Sequence, residues 1–128
     1  MTGADLPYQY VVLRCVPRVD REEFCNVGVV LFCQEASVLD ARWHLDAHRL
    51  SALAPDLDLA ALAESLEVIA QVCAGVVGEG RPRLGRLGER FGWIVAPRSA
   101  MLQPGPVHGG VCVDPRAELD RLVDLLVR

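Results

Sequence analysis

Arg14, Glu23, Asn26 and Gly28 are the residues of this chain whose types and spacing most directly suggest chemistry. A guanidinium near the end of one strand and a carboxylate at the start of the next can pair bidentately across a hairpin, with Asn26 satisfying backbone groups beside them. Two readings share these residues. One is a clamp that fixes hairpin register; the other is a polar pocket in which Gly28 lets a ligand or a partner backbone approach. A second polar set lies between Pro97 and Gly110, where Arg98, Ser99, Gln103 and His108 offer a cation, a hydroxyl, an amide and an imidazole. Gly109 and Gly110 follow His108 and can present N–H groups to an oxyanion. A Ser–His hydrolase also needs an orienting acid. Asp114 is the nearest, and a helix-capping duty competes for it. No G-x-S-x-G elbow is present. Ligand or partner contact, or a plain ordered loop, therefore ranks ahead of catalysis.

Two weaker constellations complete the set. His44 and His48 flank Asp46 and would clip a divalent metal on one helical face. The strand pattern instead puts His44 at a strand end, and the third histidine, His108, is far away in sequence. Arg81, Arg83 and Arg86 lie among the glycines of Gly75–Gly88, a composition that can cradle phosphate. That stretch follows a helix instead of preceding one, so helix termination and a solvated basic loop are the simpler reading. Neither a metal nor a cofactor is expected.

Elements must position these groups. Tyr8–Val16 alternates, with Val11, Leu13 and Cys15 on one face and Tyr10, Val12 and Arg14 on the other, which predicts a strand. Asn26–Cys33 is apolar on both sides and predicts a central strand, with Val27, Val29 and Leu31 facing opposite Gly28, Val30 and Phe32. Val38–Leu45 continues an antiparallel meander, because the links are too short for crossovers. Asp46–Leu53 predicts one or two helical turns. Asp58 caps a longer helix from Leu59 to about Val77, with Gly78 as its C-cap. Residues 81–92 read as loop with a helical turn, Trp93–Ala96 as a fourth strand, and Pro97–Gly110 as a long irregular loop. Asp114 and Pro115 open the last helix, with Leu119, Leu122, Val123 and Leu126 as its stripe. The expected fold is one α+β domain: an antiparallel sheet of three to four strands, an N-terminal meander, packed with one long central helix and a C-terminal helix. The second sheet face should be buried by that last helix or by another chain.

Composition sets the limits. The chain has 128 residues, the size of one domain. All 13 basic residues are Arg, which excludes Schiff-base and P-loop lysine chemistry. Acids outnumber bases 17 to 13 and aromatics make up 5%, so neither an electrostatic footprint nor a stacking platform for nucleic acid is present. Five cysteines without C-x-x-C spacing read as reduced, buried thiols. No positive leader with an apolar run opens the chain, and the longest apolar stretch, Val68–Val77, contains Gln71. A cytoplasmic location, with no membrane contact, is expected.

The pattern Tyr10…Arg14-x-x-Pro17…Glu23-Phe24-x-Asn26-Val27-Gly28-Val29-x-Leu31 resembles a bacterial family known as domain of unknown function 3037. Ala96-Pro97-Arg98-Ser99, Gln103, Pro106-Val107-His108 and Asp114-Pro115 match its tail, so the resemblance spans nearly the whole chain. It implies no activity. It implies a partner, because members are often encoded beside a kinase-like protein resembling the HipA toxin kinases. The leading expectation is an accessory or interaction module, bound to such a kinase or to further copies of itself. The alternative is a small anion-binding or hydrolytic enzyme using Arg14, Arg98 and His108 as a cationic pocket with Glu23 as base or orienter.

Overall fold

The computed structural model describes residues 5–98 and 100–128. The chain runs β1 (Leu6–Cys15), β2 (Cys25–Cys33), β3 (Val38–Trp43), α1 (Ala47–Leu53), α2 (Leu59–Cys73), α3 (Leu87–Val95), β4 (Leu102–Pro104), β5 (His108–Cys112) and α4 (Pro115–Leu126). One antiparallel sheet has the order β3-β2-β1, and β4 and β5 share the free edge of β1. β4 pairs with Leu13–Cys15 and β5 with Leu6–Tyr10. Between them the edge bulges at residues 105–107, where the Gly105 N–H donates to the Val12 carbonyl at 2.8 Å.

The alternation in β1 and β2 dictates two cores. Val11, Leu13, Val30 and Phe32 meet Leu62, Leu66 and Ile69 of α2 and Phe91 and Ile94 of α3 on one face. Tyr8, Val29, Leu31 and Cys33 meet Leu119, Leu122 and Val123 of α4 on the other. The last helix thus buries the second face, as the two-sided apolar character of β2 requires.

The α+β class holds, and several details change. The described residues form five strands and four helices, so α2 is not the sole central helix. Residues 93–95 are the end of α3, not a strand: Leu87, Phe91 and Ile94 recur at helical spacing, and Phe91 stacks on Phe32 at 5.3 Å. The stretch read as an irregular loop contains β4 and most of β5, which are too short and too rich in Pro and Gly to show a period. α2 ends at Cys73 with Ala74 as C-cap, and Gly75 then turns the chain at φ 77°. A bulge opposite Leu13 and Arg14 turns Val27 onto the α2 side with Gly28 and Val30.

Candidate functional site

The bulge sets Arg14 opposite Asn26 on β2, and Gln103 of β4 faces it from the other side. Arg14 therefore occupies the middle of three strands on the α4 face, near the end of the sheet. Its guanidinium carbon lies 4.2 Å from the centre of the Phe24 ring. Gly105 closes the other flank: a Cβ there would stand 3.2 Å from the guanidinium carbon, so only glycine gives Arg14 its present room. Arg14 Nε is buried and has no hydrogen-bond partner among the described residues. Phe24 beside it is 45% exposed. Asn26 Nδ2 donates to the Leu126 carbonyl at 3.2 Å, and Arg49 donates to the Val127 carbonyl at 2.7 Å, so both hold down the end of α4. Gln103 Nε2 donates to the Ala100 carbonyl at 2.9 Å.

The other sequence candidates lie elsewhere. Glu23 pairs with Arg21 at 2.5 Å in the exposed β1–β2 turn, so the Arg14–Glu23 clamp does not form. That pairing lowers the Glu23 carboxyl below its usual range. Gly28 is buried against β3, where a Cβ would meet the Arg42 carbonyl oxygen at 3.0 Å and Trp43 Cβ at 3.1 Å. Its empty side-chain space is filled by a neighbouring strand. His108 pairs in register with Tyr10 and stacks on its ring at 5.2 Å. It shares the Arg14 face but lies roughly 13 Å along the strand, four residues away. Arg98 donates to the Trp93 carbonyl at 2.5 Å and the Ala96 carbonyl at 3.3 Å, and lies over the Trp93 ring at 4.7 Å. It thereby satisfies the end of α3 on the opposite side of the sheet. Ser99 lies outside the described residues.

The weaker constellations resolve into structural roles. Asp46 caps α1 by accepting from the Arg49 N–H at 3.1 Å, and His44 Nδ1 is 3.4 Å from an Arg128 nitrogen. Among the described residues no cluster of three metal-ligating side chains occurs. Of the Gly75–Gly88 arginines, Arg81 donates to the Glu79 carbonyl at 2.9 Å within its own turn. Arg90, just beyond that stretch, donates to the Cys73 carbonyl at 3.1 Å and fills the space above Gly75 at the end of α2. A cleft of about 590 Å³ opens beside Pro17, Arg18, Arg21 and Glu23, but its charges are paired locally, Arg18 with Asp20 at 2.7 Å and Arg21 with Glu23. No described helix is long and apolar enough to cross a membrane.

Of the candidates, the structure thus gathers Arg14, Asn26 and Gln103, with His108 farther along the same face. Sequence reasoning missed Phe24 and Gly105 as neighbours of Arg14. A phenylalanine directly after a charged turn was the available signal for the first, and nothing announced the second. Residues 10–127 match the model of a family described as protein of unknown function (DUF3037). Neither the curated proteins nor the solved structures contain a match.

Proposed function

The chain belongs to this family of proteins of unknown function, and on that premise we propose that it is a protein-interaction module that receives an acidic side chain of its partner at Arg14. The carrying observation is a guanidinium stacked on an exposed Phe24, with a buried Nε that lacks a hydrogen-bond partner among the described residues. A planar guanidinium is suited to two parallel bonds with a carboxylate, and Arg beside an aromatic is the composition of an interface hot spot. Phe24 supplies apolar area around the polar contact. The partner implied by the family resemblance is the kinase-like protein resembling HipA. The enzyme alternative would need Arg14, Arg98, Glu23 and His108 in one concavity, and no observation favours it.

Co-expression with a HipA-like kinase of the kind the family resemblance implies, followed by affinity purification, tests this reading. The two proteins should co-purify, and Arg14→Ala and Phe24→Ala should each weaken binding by about tenfold or more. Arg14→Lys should not rescue it, because an ammonium cannot make the paired contact. Clean separation of the wild-type proteins, or equal binding by all variants, would overturn the proposal.

A further inference from the structure

Independently of the Arg14 site, we propose that the outer edge of β5 pairs with the same edge of a second copy of this chain, joining two sheets across a two-fold axis at Gly110. The Gly105 N–H donates to the Val12 carbonyl and the Val16 N–H to the Met101 carbonyl, so even-numbered residues at this end of β1 face β4 and β5. Pro7, opposite Val111, has no N–H to donate, so that pair cannot exchange two hydrogen bonds. Within β5, His108, Gly110 and Cys112 therefore bond to β1, while Gly109 and Val111 turn their N–H and C=O groups outward. No described strand pairs with them there.

The edge lacks the usual protection. Exposed edges are commonly guarded by charges, prolines or bulges. β3, the opposite edge, carries Asp40 and Arg42, which pair with each other at 2.6 Å. In contrast, residues 99–113 contain no charged side chain, although 23% of the chain is charged. Pro104, Pro106 and the bulge guard only the β4 half, and Pro115 closes the far end. Val107 to Val113 is left open.

Its residues match themselves. Antiparallel pairing about Gly110 sets Gly109 opposite Val111 of the other copy, and the reverse, exchanging four backbone hydrogen bonds. Val111, 63% exposed, then packs over a residue without a side chain. The same register sets Val107 opposite Val113, both exposed in the single chain. All three exposed valines of this segment are thus used by one symmetric operation, which favours a second copy over a foreign strand.

Sedimentation equilibrium and light scattering read the outcome. The wild type should reach twice its 14.0 kDa mass at micromolar concentration. Val111→Lys and Val111→Pro should each raise the dimer dissociation constant by about tenfold or more, with an unchanged circular dichroism spectrum. The proline removes only an outward N–H, so the ladder with β1 stays intact. Arg14→Ala should leave the mass unchanged, which separates this proposal from the Arg14 site. A wild type that stays monomeric, a dimer indifferent to both Val111 variants, or a monomer that instead loses the kinase-like partner on Val111→Pro would each overturn it.

Discussion

An added methyl group at Gly28 would stand 3.0 Å from a carbonyl oxygen of β3, a main-chain atom held by the strand ladder. Gly92 in α3 is the contrasting position, since nothing lies within 4 Å of a Cβ built there. Gly28→Ala should therefore destabilise the fold by about 1–3 kcal/mol through overpacking. Gly92→Ala should stabilise it by about 0.5–1 kcal/mol through helix propensity. Urea denaturation of both variants checks the pair, and a neutral Gly28→Ala would show that the space is not needed for strand packing. Gly28 was legible from sequence as an anomaly inside an apolar strand, but the atom that fills its space was not. A ligand, a partner backbone and a neighbouring strand leave the same mark on one residue. Arg14 was legible because a guanidinium at a strand end must find something planar. Phe24 was missed although it directly follows a charged turn, because a lone phenylalanine reads as core until its neighbours are known.

Helices announced themselves where a cap and an apolar stripe coincide. Asp46, Asp58 and Asp114 each accept from backbone N–H groups of the first turn, Asp58 from Ala61 at 3.0 Å and Asp114 from Arg116 at 3.1 Å. α3 has no such signal: Arg86 makes no side-chain cap, and Gly88 and Gly92 dilute its stripe. Its helix is carried by Phe91 and Ile94 in the core, so tertiary packing overrides local preference. The edge strands are more dependent still, since β4 and β5 are short segments templated by β1. These differences predict how the elements respond to cap removal. Asp114→Ala should lower stability by about 1 kcal/mol, because the carboxylate serves two N–H groups at the start of the helix that covers this face. Thermal unfolding measures it, and a loss within experimental error would mean that packing alone holds the start of α4.

Three layers, with a sheet covered on both faces, place titratable groups where burial favours their neutral forms. Burial, with a lesser contribution from Cys25, pushes the Cys15 thiol up from 9.0 to about 11. Burial, with Asp40 nearby, pushes Cys73 up to about 12. Tyr8 is raised from 10.0 to about 12 by burial and then by its hydrogen bond to Glu118. Glu118 moves the other way, held below its usual range first by Arg121, whose two nitrogens each lie 2.8 Å from its oxygens. The two-sided burial was foreseeable from the apolar character of β2, whereas the Tyr8–Glu118–Arg121 chain joins residues more than a hundred positions apart and had no local trace. For the three raised groups the sign is the same. Each contributes stability fully below its ordinary value and loses it as pH rises through its folded value. Stability should therefore hold through neutral pH, then fall from about pH 9 towards pH 12 as thiols and phenol ionise more readily in the unfolded chain. Glu118 contributes above 4.5 and loses its share as pH falls below that. Tyr8→Phe should cost about 1.5–3 kcal/mol at neutral pH, since it removes one hydrogen bond to a charged acceptor. It should also make the alkaline decline shallower above pH 10, where the phenol no longer titrates. Urea midpoints measured across this range, wild type against variant, decide it: parallel curves would mean that Tyr8 does not carry the alkaline response.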